Sequence, residues 1–145
     1  MTTQEKIIEA EPDEVFAVLS DGWSYAYWRL GISHVRQVDD EFPAEGSRIH
    51  HDLGPWPASW QEDTTAMCTQ PPHRMELRTN LGLFGVVDST FTLAAEGDGR
   101  TRVTMRKQPT AGFLHWLPAA ASDLLMRGRD RETLRRLADV SEHRR

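Results

Sequence analysis

Two adjacent histidines, at positions 50 and 51, are the residues of this sequence whose type and placement most suggest chemistry. An imidazole titrates near neutral pH, so it can serve as a general acid or a general base. Side chains alternate along an extended strand, so His51 would share one face with Ile49 and Leu53 while His50 points the other way. The pattern predicts an inward His51 and a solvent-facing His50.

A carboxylate is expected on the same inner face. If the chain reverses near Pro55 and Trp56, His51 lies roughly opposite Trp60, with Glu62 close by. An imidazole and a carboxylate in one cavity are sufficient for enolisation or dehydration of a bound ketone. The alternative is that His51 is a hydrogen-bonded core residue, and a single β-bulge would exchange the orientations of the two histidines.

Two arginines near the C terminus fall on a helical stripe that also contains leucines. Residues three and four positions apart share a helix face, and this stripe comprises Ala120, Leu124, Arg127, Arg131, Leu134 and Ala138. If its leucines face a sheet, burial of an unpaired guanidinium nearby is costly. Arg127 and Arg131 are therefore candidates to bind a ligand carboxylate, phosphate or enolate. The alternatives are that they reach the rim, pair with an acid, or turn outward at a bend near Gly128.

Aromatic residues are concentrated in the first half of the chain. Large rings provide apolar contact area, and an indole N–H adds one directed hydrogen bond. Trp28, Trp56 and Trp60 are predicted to line a ligand cavity, with Trp56, beside prolines, at its mouth. Packing in the core is the alternative for each of them.

Several kinds of site are excluded by the residues present. Cys68 is the single cysteine, so no intrachain disulfide, paired-thiolate zinc site or CxxC motif can form. His50 and His51 lack the helical spacing of paired metal ligands, and the chain contains no glycine-rich phosphate loop or nucleophile elbow. We therefore predict neither a metal nor a cofactor.

Length and charge set the class of protein. A chain of 145 residues has the size of one domain, so residues 1–145 are interpreted as a single unit. The net charge of −5 disfavours nucleic acid and anionic membranes as partners. No apolar run is long enough to span or insert into a membrane, and the first residues lack a signal-peptide core, which favours a cytoplasmic location. Nothing in the sequence excludes a homo-oligomer.

The order of elements is readable from hydrophobic periodicity and turn residues. A strand at Thr2–Ala10 precedes a helix that begins at Glu11-Pro12, and a second short helix covers Trp23–Trp28. Glycines and prolines then separate six runs typical of antiparallel strands: Ser33–Asp39, Ser47–Leu53, Trp56–Cys68, Arg74–Asn80, Gly85–Ala95 and Thr101–Gln108. A long helix begins near Leu117-Pro118 and runs to the basic tail.

This order resembles the START-like ligand-binding superfamily, also called SRPBCC, in its polyketide cyclase/dehydrase-like branch. The local likeness lies at Ala10–Asp21, at Tyr25 with Trp28, at Pro71–Leu77 and at Gly99–Met105. The resemblance implies an α+β helix-grip fold, in which a curved antiparallel sheet wraps around a long C-terminal helix. Members of this superfamily are carriers of hydrophobic ligands, polyketide cyclases or dehydratases, and binders of hydrophobic protein clients. They share no catalytic motif that transfers to this chain.

We expect this domain to bind a small, largely hydrophobic molecule between its sheet and its C-terminal helix. A ligand that also carries an anionic group is compatible with this expectation. The predicted ligand-binding residues are Trp28, His51, Trp56, Trp60, Arg127 and Arg131. One alternative is a cyclase or dehydratase with His51 and Glu62 as acid and base. Another is a protein-interaction module. The sequence alone does not decide between binding and turnover.

Overall fold

The computed structural model describes residues 2–54, 59–82, 85–111 and 119–143, with side chains described for all of these except 111 and 119–127. The chain begins with strand β1 (Thr2–Ile8) and helix α1 (Pro12–Ser20). Proline at the first position of α1 has no N–H to leave unsatisfied, and the backbone N–H of Glu11 donates to Glu14 Oε1 at 3.0 Å. A 3₁₀ turn (Gly22–Ser24) and the short helix α2 (Tyr25–Trp28) follow.

One antiparallel sheet of seven strands forms the body of the fold. The remaining strands are β2 (Ile32–Val38), β3 (Arg48–Leu53), β4 (Trp60–Gln70), β5 (Arg74–Asn80), β6 (Val86–Ala95) and β7 (Thr101–Ala111). Their order across the sheet is β1-β7-β6-β5-β4-β3-β2. The terminal helix α3 (Ala119–His143) contacts β1, α1 and α2. The predicted helix-grip fold is confirmed.

Alternation of side chains along the strands gives the sheet one buried face and one exposed face. Along β6, Val87, Phe91 and Leu93 are buried, whereas Thr92 between the last two is exposed. An antiparallel sheet with one covered face has this pattern. The covered face, called the inner face below, packs against α1, α2 and α3.

Aromatic rings and leucines form the centre of the core. Trp28 is fully buried, with its ring centroid 4.5 Å from that of Tyr25 and 5.9 Å from that of Phe91. The Tyr25 hydroxyl donates to the carbonyl oxygen of Leu19 at 2.6 Å. From the opposite side α3 contributes Leu134 and other apolar residues. This packing fixes α2 and α3 over the inner face.

Several strand boundaries differ from the sequence prediction, most of them by one or two residues. The register pairs Trp60 with Leu53, so the described pairing of β4 with β3 begins at Trp60, whereas Trp56 lies outside the described residues. Strand β7 continues past Gln108 to Ala111 and includes Pro109. Thr2, the first residue of β1, pairs with Lys107, so Pro109 lies beyond the end of β1, where its missing N–H leaves no gap in that ladder.

Candidate functional site

A row of polar side chains crosses the inner face of the sheet. We call this row, with two charged residues that pack against it, the polar belt: His51, Thr64, Thr79, Ser89, Lys107 and Thr2 from the sheet, with Arg29 and Asp130. All are buried except Lys107, whose side chain is 16% exposed. The strand register aligns Thr64 with Thr79, Ser89 with Lys107, and Lys107 with Thr2. Polar residues thus occupy inward-facing strand positions, which are usually occupied by apolar residues.

His51 forms one end of the polar belt and keeps one ring nitrogen unbonded. Its Nε2 is hydrogen bonded to Thr64 Oγ1 at 2.8 Å, and this hydroxyl lies 3.1 Å from Thr79 Oγ1. Its Nδ1 is buried and has no hydrogen-bond partner among the described residues. Burial, assisted by the nearby Arg29 guanidinium, lowers the pKa of His51 to about 4. The imidazole is therefore neutral at neutral pH.

Arg29 places a positive charge over the middle of the polar belt. It follows α2 directly, and 7% of its surface is exposed. Its Nη2 donates to Ser89 Oγ at 2.7 Å, and the guanidinium carbon lies 5.8 Å from the centre of the Phe91 ring. Burial lowers the pKa of Arg29, but a guanidinium stays protonated in proteins. Its Nη1 is buried without a partner in the part of the chain that the structure describes.

Asp130 joins α3 to the other end of the polar belt. It is fully buried; Lys107 Nζ lies 2.9 Å from its Oδ1, and the Thr2 hydroxyl donates to its Oδ2 at 2.5 Å. Burial, with Arg29 nearby, lowers the pKa of Lys107, and the Asp130 carboxylate opposes that shift. These two contacts tie α3 to β7 and β1, although Oδ1 accepts no hydrogen bond among the described residues beyond its ion-pair contact with Lys107. Asp130 therefore anchors the helix.

The inward orientation of His51 is confirmed, and Glu62 lies next to it in the sheet as predicted, whereas Trp60 is two residues away from its predicted position opposite His51. Glu62 is directly opposite His51 in the register, and Trp60 is opposite Leu53. Glu62 Oε2 lies 2.7 Å, and Trp60 Nε1 3.2 Å, from the position that a Cβ on Gly82 would occupy. Glu62 thus fills the space left by a glycine in the β5–β6 turn. The structure describes no hydrogen bond between Glu62 and His51.

The predicted tryptophans fall into different environments. Trp28 is a core residue, and its indole N–H already donates to Ser24 Oγ at 3.0 Å. That N–H is therefore not available to a ligand. Trp60 is 36% exposed at the start of β4, and Trp56 lies outside the described residues.

The terminal helix buries Leu134 and Ala138 of the predicted stripe but exposes Arg131. Asp130, Thr133, Leu134 and Leu137 are buried, whereas Arg131 is exposed. Each residue turns a helix by about 100°, so Asp130 facing the sheet carries Arg131 away from it. Arg131 is therefore not on the inner face, and the side chain of Arg127 lies outside the described residues.

Sequence reasoning missed most of the charged part of the polar belt. Ser89 and Lys107 could have been found, because they fall in phase with the buried Phe91 and Met105 on their strands. Arg29 follows a short helix that has no clear periodicity and could not have been assigned to the inner face.

Outside the polar belt, the described residues offer a surface groove and no metal site. Among residues 2–54, 59–82, 85–111 and 119–143, no cluster of His, Cys, Asp and Glu is suited to a metal ion. Within the same ranges no helix is both long and apolar enough to cross a bilayer. A groove of 540 Å³ lies on the surface, lined by Asp21, Trp23, Ser24, Tyr27, Val140 and His143. Trp23 and Tyr27 are 55% and 74% exposed, so this groove is a second apolar surface to consider.

The chain is similar to known proteins in both sequence and fold. Residues 2–142 match the family model described as polyketide cyclase / dehydrase and lipid transport. None of the curated proteins matches the sequence. A START superfamily protein from Mycobacterium smegmatis is 14% identical, with a TM-score of 0.73 over 99% of this chain and 98% of that one.

Two similar structures come from biosynthetic loci. The di-domain ARO/CYC protein BexL, from the BE-7585A pathway, is 16% identical with a TM-score of 0.66, over 99% of this chain and 50% of its own. DynU16, from the dynemicin biosynthetic locus, is 20% identical with a TM-score of 0.68, over 98% of this chain and 47% of its own. Each of these identities is low, so the likeness shows a shared fold alone.

Proposed function

This chain belongs to the polyketide cyclase / dehydrase and lipid transport family, and we propose that it binds a small, largely apolar molecule between the inner face of the sheet and α3. A polar group of that molecule would lie at the polar belt. The observation that carries the proposal is the pair of buried, unpartnered nitrogens, Arg29 Nη1 and His51 Nδ1.

The physical argument rests on the rarity of such atoms. Buried polar groups in folded proteins are nearly always hydrogen bonded, and each unsatisfied group costs about 1–3 kcal/mol. A ligand oxygen that accepts from Arg29 Nη1 would supply a missing partner. The apolar residues that flank the polar belt, among them Leu53, Val87 and Phe91, would contact the remainder of the ligand.

Titration with N-phenyl-1-naphthylamine, an uncharged dye that fluoresces in apolar surroundings, tests this proposal. We expect one saturable site per chain. Ser89→Leu, which projects a larger side chain from the inner face, should weaken binding, whereas Trp23→Ser with Tyr27→Ser, in the surface groove, should leave it unchanged. Loss of binding in the surface-groove variant with full binding in Ser89→Leu would refute an inner-face site, as would the absence of any saturable binding.

A second candidate function is cyclisation of a poly-β-ketone. It is favoured by the neutral state of His51, whose Nδ1 is unpartnered and which lies opposite Glu62. The imidazole would accept a proton from a methylene between two ketones, and the resulting carbanion would bond to a further carbonyl carbon. The π electrons of that carbonyl would pass to its oxygen, and the alkoxide would take the proton back from the imidazolium. Arg29 would stabilise the enolate oxygen during this step.

The two functions differ in their dependence on His51. A synthetic poly-β-ketone thioester cyclises spontaneously, so its uncatalysed product ratio is the reference. An enzyme should change this ratio, and His51→Leu should restore it, while both proteins bind N-phenyl-1-naphthylamine. An unchanged product ratio with the unmodified protein would leave binding as the function and exclude this enzymatic role.

A further inference from the structure

We infer that the ligand is an amphiphilic monoanion, such as an organic carboxylate or sulfonate, whose charge pairs with Arg29. This inference rests on the proposed function, since it names the chemical class of the molecule bound at the polar belt. It follows from the charges buried there and from how the Arg29 guanidinium is held.

The charges of the polar belt do not balance. They are those of Arg29, Lys107 and Asp130. Lys107 and Asp130 are 2.9 Å apart, and this pair has no net charge whichever of the two side chains holds the proton. His51 is neutral at neutral pH. One positive charge, that of Arg29, therefore remains without a counter-charge of its own within the polar belt.

Among the described residues, the carboxylates of Asp130 and Glu62 are poor partners for Arg29. Asp130 is already bonded to Lys107 and Thr2. Glu62 is only half-buried and lies against Gly82 and Trp60, where solvent can stabilise its charge. An unpaired buried charge is strongly unfavourable, so a ligand that brings one negative charge gains more here than a neutral ligand of the same shape.

The Arg29 guanidinium is fixed in one orientation. Ser89 Oγ accepts from Nη2, and the Phe91 ring lies beneath the guanidinium carbon. Because the group is planar, these two contacts also fix the direction of the Nη1 donors. A guanidinium held in this way is preorganised for an anion. Ser89 and Phe91 are therefore positioning residues for the group that meets the ligand.

A pair of dyes with one aromatic skeleton tests the inference. 8-Anilino-1-naphthalenesulfonate is a monoanion, and N-phenyl-1-naphthylamine is the same skeleton without the sulfonate. We expect the wild-type protein to bind the sulfonate about tenfold more tightly, as a charge-assisted hydrogen bond would give. Arg29→Met should remove most of this preference while affinity for the neutral dye changes little. Arg100→Met, which removes an exposed arginine of the β6–β7 turn, is the matched control for net charge and should retain the preference.

The possible results distinguish failure of the monoanion inference from failure of the proposed function. The monoanion inference would be overturned if the wild-type protein bound the two dyes with equal affinity. It would also be overturned if Arg29→Met lost affinity for both dyes equally. Either result would leave the proposed function intact. Failure of both dyes to bind the wild-type protein would overturn the proposed function and the inference with it. If Arg29→Met does not fold, Ser89→Ala is the alternative variant, because it keeps the Arg29 guanidinium and removes the hydrogen bond that orients it. It should then lower sulfonate affinity several-fold and spare the neutral dye, and an unchanged ratio would contradict the inference.

Discussion

His50 and His51 are neighbours on one strand and have opposite surroundings. On the outer face, His50 Nε2 lies 2.9 Å from Asp39 Oδ1 and its Nδ1 lies 3.0 Å from Asp63 Oδ1. These contacts, that with Asp39 foremost, raise the pKa of His50. On the inner face, burial lowers the pKa of His51 to about 4. On the outer face, charged groups such as His50, Asp39 and Asp63 pair with one another in contact with water. On the inner face, buried polar atoms lack partners among the described residues. This difference makes the inner face the candidate site.

The largest expected effect is the loss of folding stability at acidic pH that His51 causes. An unfolded histidine binds a proton near pH 6.5, whereas folded His51 does so only near pH 4. Between these values the unfolded state holds more protons, so stability falls as pH falls, by up to about 3 kcal/mol. Urea unfolding at pH 7.5 and pH 4.5 should therefore show a smaller loss of stability on acidification in His51→Leu than in wild type. The same loss in both proteins would mean that His51 is not held neutral by the fold.

A smaller effect is expected from the hydroxyl that partners His51. Thr64→Val removes the bond to His51 Nε2 and the contact with Thr79, which should lower the free energy of unfolding by about 1–2 kcal/mol. Thr65→Val, the next residue on the same strand and on the outer face, is the control and should change it by less than about 0.5 kcal/mol. Urea unfolding at pH 7.5 measures both. Equal effects at positions 64 and 65 would contradict the distinction between the two faces.

Protonation of His50, on the outer face, should stabilise the fold, whereas protonation of His51 should destabilise it. The change in the free energy of unfolding should also be smaller for His50. Its raised pKa means that its stabilising contribution is present below pH 6.5 and is lost as pH rises through the folded pKa. The side chain is 26% exposed, so solvent limits the contribution to less than about 1 kcal/mol. His50→Gln should be less stable than wild type at pH 5.5 and equal to it at pH 9. A difference that grows toward pH 9 would contradict this interpretation.

The smallest effect is expected at Arg131, the arginine that sequence periodicity placed on the inner face. Because its side chain is exposed, Arg131→Met should change the free energy of unfolding by less than about 0.5 kcal/mol. The two naphthalene dyes should bind this variant as they bind the wild type. A selective loss of the sulfonate dye would restore the sequence-based hypothesis.

The sequence predicts the strands and helices well because alternation and turn residues are local properties. The same alternation predicted the orientation of His51. It could not place Trp60 correctly opposite its partner, since a strand register depends on where the preceding turn closes. Nor could it set the phase of α3, because a stripe that includes Arg131 and one that includes Asp130 both contain leucines. The placement of Arg29 depends on the packing of α2 against the sheet and α3, which no local pattern encodes.

A crystal structure of the wild-type protein with 8-anilino-1-naphthalenesulfonate tests the central claim most directly. The account predicts the naphthalene ring between the inner face and α3, with a sulfonate oxygen about 3 Å from Arg29 Nη1. A dye bound in the surface groove of Trp23 and Tyr27, with the polar belt unchanged, would contradict it.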